Sequence, residues 1–111
     1  MNEKTKIKFK EKVTFYGKKK NKTVIARIDT GARRCSIDKK LAEEIGVGDV
    51  KMYKTIKSAL GKTKRPVVKL KLKIKNKTFN AYCTLADRSR LKYSALIGRN
   101  VLRHGFVIEG E

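Results

Sequence analysis

The stretch Val24-Ile25-Ala26-Arg27-Ile28 runs directly into Asp29-Thr30-Gly31-Ala32. The first five residues are mostly apolar and β-branched, which is typical of a buried strand. Glycine at position 31 lets the backbone approach closely and turn sharply, so its N–H can point at the carboxylate before it. The stretch therefore predicts a strand that presents one carboxylate at its end, on a glycine-bearing loop.

A second informative stretch lies near the end of the chain, at Ala95-Leu96-Ile97-Gly98-Arg99-Asn100-Val101-Leu102. It predicts a short buried strand, a glycine turn and a helical turn. Either stretch alone is a modest signal, because an Asp-Thr-Gly triplet also occurs in ordinary turns. Their order in one short chain is more specific.

The rest of the chain predicts mainly β structure with one clear helix. For the helix, Asp38 is the expected cap and Gly46 the expected end. The segment 58–65 is expected to be a polar, flexible connection, and 87–93 a charged loop. Strands are expected at 6–16, 22–28, 51–57, 66–75, 78–85, 95–97 and 106–108, and helical segments at 38–45 and 99–103. No internal repeat or boundary appears, so residues 1–111 are predicted to form one domain.

Composition excludes several classes of protein. Hydrophobic residues make up 40% of the 111 residues, which argues against a disordered polycation. No run approaches the roughly 18 apolar residues that a membrane span needs, and the first residues lack the apolar core of a signal peptide. We therefore expect a cytoplasmic protein with no membrane partner.

The net charge of +20 is the strongest compositional anomaly, with 30 Lys and Arg against 10 Asp and Glu. Such a field attracts polyanions. The pattern is diffuse, however: Lys69, Lys71, Lys73 and Lys75 alternate with apolar residues and are expected to line the solvated face of one strand. A solvated surface and a functional polyanion surface both fit. Because aromatic and basic residues are not interleaved along the chain, nucleic acid is expected only as a non-specific polyanion partner.

The residues that bind metals or react as nucleophiles are few. Cys35 and Cys83 are expected to be small buried side chains, with a disulfide or a redox-sensitive thiol at Cys35 as the alternatives. His104 is the only histidine, so no set of zinc ligands is available, and it is expected to lie at the surface. No Walker loop is present. We expect neither a metal nor a cofactor.

Together, the stretch that carries Asp29 and the later stretch that carries Gly98 resemble the single-lobe aspartic proteases, the retropepsins. In that family, residues such as Thr55–Val68 form a covering flap. The resemblance implies a closed β-barrel with one or two short helices. It also implies a homodimer, since this chemistry needs two carboxylates and the chain supplies only Asp29. Thr30, Gly31 and Ala32 would orient the pair, which shares one proton because close like charges cannot both ionise.

The residues around Asp29, the segment Leu85–Tyr93 and Ile97-Gly98-Arg99 resemble more narrowly a family labelled ATP-dependent zinc protease. This family is retropepsin-like, accompanies ATP-grasp glutamate ligases, and is implicated in cutting glutamate-rich tails. Retroviral enzymes carry an acidic residue where this chain has Arg33, so Arg99 needs another partner, with Asp87, Asp38 or the cleft as alternatives.

The resemblance suggests a basic cleft that binds acidic peptides. The residues predicted to bind substrate are Arg33, Arg34, Ser58, Ala59, Leu60, Gly61 and Arg88. Those predicted to support the site are Ile97, Gly98, Arg99 and Asn100. Two other functions stay open: a catalytically silent dimer of the same fold that acts as a binding module, and a basic nucleic-acid-binding β domain.

Overall fold

The computed structural model describes residues 4–110. Strands β1 to β9 and helices α1 and α2 follow one another as β1 (Thr5–Ile7), β2 (Lys10–Tyr16), β3 (Asn21–Ile28), β4 (Cys35–Asp38), α1 (Lys39–Ile45), β5 (Val50–Ser58), β6 (Gly61–Ile74), β7 (Lys77–Ala86), β8 (Ala95–Ile97), α2 (Arg99–Leu102) and β9 (Phe106–Ile108).

Six strands close into a barrel. Their order is β2-β3-β8-β4-β7-β6, and β6 pairs again with β2, for example Phe15 with Leu72. Two pairings inside the barrel are parallel, β3 with β8 and β4 with β7. The predicted closed β-barrel with two short helices is confirmed.

Apolar side chains at every second position along the strands fill the barrel. Phe15, Leu72 and Ile74 are fully buried, whereas Lys69, Lys71 and Lys73 on the opposite face of β6 are exposed. This alternation follows from the twofold side-chain period of a strand. The predicted solvated row of lysines is therefore found on the outer surface of the barrel.

The hairpin formed by β5 and the first half of β6 projects from the barrel. Its strands pair from Val50↔Val68 to Ser58↔Gly61, with only residues 59–60 in the turn. The expectation that 58–65 is a flexible connection was wrong, because pairing with β5 makes most of this segment a strand. Pro66 does not open β6 but lies within it, opposite Tyr53.

Helix α1 follows β4 and packs Leu41, Ala42 and Ile45 into the core. It ends at Gly46, whose φ of 77° is left-handed and whose N–H donates to the carbonyl of Ala42. Asp38 occupies the position before the helix, but its side chain makes no capping bond. The predicted cap was wrong, because the Asp38 carboxylate is hydrogen-bonded to another loop.

Two lysines of the β2–β3 turn region hold α1 against the barrel. Lys22 Nζ lies 2.7 Å from Glu44 Oε1, and Lys20 Nζ lies 2.8 Å from Glu44 Oε2. Hydrogen bonds from Lys20 and Lys22 hold the pKa of Glu44 below its ordinary 4.5. Since the folded pKa is depressed, the stabilisation is present above pH 4.5 and is lost as the pH falls through the folded pKa.

Glu44→Gln is expected to lower Tm slightly at pH 7 and to have a smaller effect at about pH 3, because the stabilisation is lost as the pH falls through the folded pKa of Glu44. Thermal melts of wild type and variant at both pH values measure this. Glu43→Gln, at the exposed neighbouring position, is the matched control. An equal loss of Tm at both pH values would contradict the ion-pair explanation.

The two ends of the chain form a separate two-stranded parallel sheet, with Thr5 opposite Phe106 and Ile7 opposite Ile108. The predicted single strand 6–16 is therefore two strands. The break falls at residues 8–9, between β1, which pairs with β9, and β2, which pairs with β3. At this break the carbonyl of Phe9 accepts the N–H of Ile28. Neither helix within residues 4–110 has the length and apolar character that crossing a membrane requires.

Candidate active site

Asp29 lies directly after β3, at the point where this strand ends beside β8. Ile28 pairs with Ile97, and the N–H of Asp29 donates to the carbonyl of Ile97 at 2.9 Å. The residue is half-buried, so its carboxylate remains accessible. A buried parallel strand pair thus fixes the backbone that carries the carboxylate.

The glycine of this loop acts as the sequence predicts. The N–H of Gly31 donates to Asp29 Oδ1 at 2.9 Å, and a Cβ at this glycine would lie 3.2 Å from the same oxygen. Any larger residue would crowd the carboxylate. The next residue, Ala32, closes the turn by donating its N–H to the carbonyl of Asp29 at 3.2 Å. Thr30 is exposed.

The turn at Gly98 packs against the Asp29 loop. The N–H of Arg99 donates to the carbonyl of Ala32 at 2.8 Å, and Nη1 of Arg99 donates to the carbonyl of Thr30 at 3.0 Å. Neither Asp87 nor Asp38, the partners considered from the sequence, takes this role. Arg99 instead supports the loop through two carbonyl oxygens, so a carboxylate is not needed at the position of Arg33.

Asn100, in α2, ties strands β4 and β7 together behind the loop. Its Oδ1 accepts the N–H and the thiol of Cys35 at 3.1 and 3.4 Å, and its Nδ2 donates to the carbonyl of Tyr82 at 3.0 Å. Cys35 and Cys83 are opposed residues of β4 and β7, and both are free and buried, as expected. The facing Cys35 thiol and burial raise the pKa of Cys83, so it stays a thiol at neutral pH.

Arg88 is positioned by the carboxylate that does not cap α1. Its N–H donates to Asp38 Oδ1 at 2.7 Å, and its Nε donates to the carbonyl of Tyr93 at 3.0 Å. These bonds hold the 87–94 loop beside β4 and leave the terminal nitrogens of the guanidinium for other partners. Arg88 and Asp38 also line a cavity of about 990 Å³ along β2 and β3. Asp29 does not line this cavity.

Two further arginines lie within electrostatic reach of Arg88. Partial burial lowers the pKa of Arg88. The charges of Arg27 and Arg65 lower this pKa further, whereas the charges of Asp38 and Asp29 raise it. Arg88 nevertheless stays charged, since the guanidinium does not titrate near neutral pH. Arg88 therefore lies within electrostatic reach of Asp29, Arg27 and Arg65, and the last two residues were not predicted.

The sequence carried only a weak signal for these two residues. Arg27 is two positions before Asp29, on the exposed side of β3, so a twofold period places it on the face that Asp29 continues. For Arg65 there was no signal, because its neighbourhood depends on where the β5–β6 hairpin lies.

The other predicted substrate-binding residues fall into two groups. Arg33 and Arg34 line a separate cavity with Arg99 and Arg103 and are not brought together with Arg88. Residues 58–61 form the tip of the hairpin, where Ser58 Oγ accepts the N–H of Leu60 at 3.3 Å and the leucine side chain is fully exposed. The tip thus presents an apolar side chain to solvent.

A metal site is not found in the part of the chain that the structure describes: no three His, Cys, Asp or Glu residues of 4–110 are grouped to hold an ion. His104 is exposed, as predicted, and packs against the ring of Phe79. Both cysteines lie in the core.

The family model described as "Retropepsin-like aspartic endopeptidase RimB" matches residues 42–110. The chain belongs to the RimB-like family. The match begins after the Asp29 loop, so it covers the β5–β6 hairpin, the 87–94 loop and the Gly98 turn. No curated protein matches the chain.

Two solved structures are similar to the RimB-like fold described above. One is Lpg0085 from Legionella pneumophila, a protein with unknown function, at 21% identity and a TM-score of 0.66, covering 95% of this chain and 92% of that one. The other is the protease of simian foamy virus (mac), at 16% identity and a TM-score of 0.65, covering 85% of this chain and 91% of that one. Identities this low establish the fold and not the activity.

Proposed function

We propose that this protein is a homodimeric aspartic endopeptidase that hydrolyses peptide bonds in acidic, glutamate-rich peptides or protein tails, with residues 1–111 as a single domain. The observation that carries the proposal is the half-buried carboxylate of Asp29, held on its loop by the N–H of Gly31. Each chain supplies one such carboxylate. Two chains related by a twofold axis would bring two together.

In the proposed mechanism, one Asp29 is ionised and its partner copy is protonated. The ionised carboxylate takes a proton from a bridging water, whose oxygen attacks the scissile carbonyl carbon. The protonated carboxyl donates its proton to the carbonyl oxygen. The tetrahedral intermediate then collapses: its C–N bond breaks, the amine leaves with a proton from the dyad, and the carboxylic acid product forms.

The preference for acidic substrates is supported by Arg88, which lies within electrostatic reach of Asp29, Arg27 and Arg65. Arg88 is fixed by two hydrogen bonds, which leaves its terminal nitrogens free to bind a carboxylate. Arg65 is exposed on the hairpin. A peptide with glutamates on both sides of the scissile bond would balance these charges.

The test compares a glutamate-rich peptide with a glutamine-rich peptide of equal length. We expect the wild type to cleave the acidic peptide with higher kcat/KM, and Arg65→Gln to reduce that preference by about 10-fold, the value of a charge-assisted hydrogen bond. Lys64→Gln, the exposed neighbour on the other side of the hairpin, is the control. Equal kcat/KM for both peptides would exclude the substrate class.

The assembly is tested by sedimentation velocity at the protein concentrations used for cleavage. We expect a dimer, and specific activity that falls on dilution as the dimer dissociates. A monomer whose specific activity is independent of concentration would exclude the two-chain site.

A further inference from the structure

We propose that a surface outside the catalytic cleft binds single-stranded nucleic acid, with phosphates in a cavity of arginines and bases stacked on neighbouring tyrosines. The arginine cavity, about 430 Å³ in volume, is lined by Arg33, Arg34, Tyr82, Arg99, Asn100 and Arg103. The tyrosine–lysine face next to it is formed by Tyr16, Lys69, Lys71 and Tyr82. This inference is independent of the proposed protease activity.

The arginine cavity collects positive charge without a compensating group. Four of its six lining residues are arginines, and none is acidic. Among residues 4–110, the ion pairs involve Lys6, Lys20, Lys22 and Lys75 and none of these arginines. Like charges in a shared cavity repel one another, so an anion bound there would be stabilised by all four. Guanidinium groups also match phosphate oxygens bidentately.

The tyrosine–lysine face is built by register across three strands. Lys69 is opposite Tyr82 in β7, and Lys71 is opposite Tyr16 in β2. The ammonium of Lys69 lies 5.7 Å from the centre of the Tyr82 ring, and that of Lys71 lies 5.0 Å from the Tyr16 ring. Successive lysines on one face of a strand are about 6.8 Å apart. Cations and aromatic rings thus alternate over the outer surface of the barrel.

This alternation is invisible along the chain, because each tyrosine and its lysine belong to different strands. Closing the barrel brings them together on the solvent side. The sequence alone therefore gave no stacking signal, whereas the folded surface combines the two elements that single-strand-binding proteins use: a basic track and exposed aromatic rings.

The cavity and the face are continuous. Tyr82 lines the arginine cavity and also a second cavity of about 240 Å³, which contains Lys69, Asn80 and Arg103. Tyr82 is 39% exposed, enough to offer part of its ring to a base. A strand that passes from the arginines over this tyrosine would meet phosphate-binding and stacking groups in turn.

Nucleic acid fits this surface better than an acidic peptide does. Both ligands satisfy the arginines, but the interleaved tyrosines provide a stacking surface that carboxylates do not use and that every base does. The surface is also distinct from the cleft, since neither cavity is lined by Asp29, Arg65 or Arg88.

The experiment is fluorescence anisotropy with labelled oligouridylate and oligothymidylate of about 12 nucleotides, over a series of salt concentrations. Tyr82→Leu keeps apolar bulk but removes the ring, and we expect it to weaken binding about 5- to 100-fold with an unchanged salt dependence. Tyr82→Phe should restore binding. Lys69→Gln/Arg103→Gln should instead reduce the slope of log K against log salt by about 1.4, for two lost phosphate contacts.

The matched control for charge is Lys57→Gln/Lys62→Gln, an opposed pair on the hairpin outside this surface. Equal weakening by the control and the Lys69/Arg103 variant means non-specific polycation behaviour and overturns the proposal, as does wild-type affinity in Tyr82→Leu. A glutamate-rich peptide is the third arm. If it binds more tightly than the oligonucleotide and loses affinity in the Lys69/Arg103 variant, the surface belongs to acidic peptides. Thermal melts establish that each variant is folded.

Discussion

Asp29→Asn is expected to lower kcat on a glutamate-rich peptide by about 10²- to 10⁴-fold, the usual contribution of acid–base catalysis by a side chain. Asparagine retains the oxygen that accepts the N–H of Gly31, so the loop and the Tm should change little. It cannot accept a proton from water or donate one to the carbonyl. Asp49→Asn, an exposed carboxylate between α1 and β5, is the matched control and should keep wild-type turnover.

Mixing the two proteins tests whether both chains contribute to one site. When subunits exchange freely, adding an equal amount of Asp29→Asn should lower total activity to about half, because mixed dimers are inactive. Unchanged activity would place the whole site in one chain. If the wild type itself binds the peptide without turnover and Asp29→Asn binds it equally well, the protein is the catalytically silent binding module.

Gly98→Ala is expected to destabilise the protein by about 1–3 kcal/mol through overpacking, a Tm loss of roughly 5–20 °C, and to reduce activity as well. A Cβ at this position would lie 2.7 Å from the backbone C and O of Arg34 and 2.9 Å from the carbonyl of Ala32. Backbone atoms cannot rotate away as a side chain does. Relief therefore requires moving the loop that carries Asp29.

Two other glycines separate stability from activity. Gly17→Ala brings the new Cβ into collision with the backbone carbonyl of Ile45, so it should also lower Tm but leave kcat of the folded protein unchanged. Gly48→Ala, whose nearest neighbour would be 3.7 Å away, should change neither. Wild-type kcat in Gly98→Ala would contradict the coupling between this turn and the loop. Melts and single-substrate kinetics on all three variants measure it.

The sequence predicted the elements whose signals are local. The apolar run before Asp29 and the turn at Gly98 both lie where they were expected. The helix ending at Gly46 did too, because its stop depends on a left-handed glycine. The predictions failed where pairing is non-local. Strand β4 (Cys35–Asp38) is short and becomes a strand only between β7 and β8.

The prediction for the hairpin failed only in its second strand, for a related reason. Strand β5 (Val50–Ser58) lies where a strand was expected at 51–57, whereas the first half of β6 was expected to be a flexible connection. That half is exposed and rich in lysine, so it shows no alternation of apolar and polar residues, and only its pairing with β5 makes it a strand. The same limitation hid Arg65, whose place near Arg88 follows from the hairpin and not from any nearby residue.

By itself, the sequence determined the mainly β character of the chain and the loop that carries Asp29, because alternating apolar residues and a required glycine act over a few neighbouring positions. The closed barrel was expected only from the resemblance to the retropepsins. Only the tertiary structure decided where the excess positive charge collects. The tertiary fold placed Arg27 and Arg65 within electrostatic reach of Arg88 and put four other arginines in a separate cavity. The physical reason is that Coulomb interactions depend on distance through space, which a linear charge pattern does not contain.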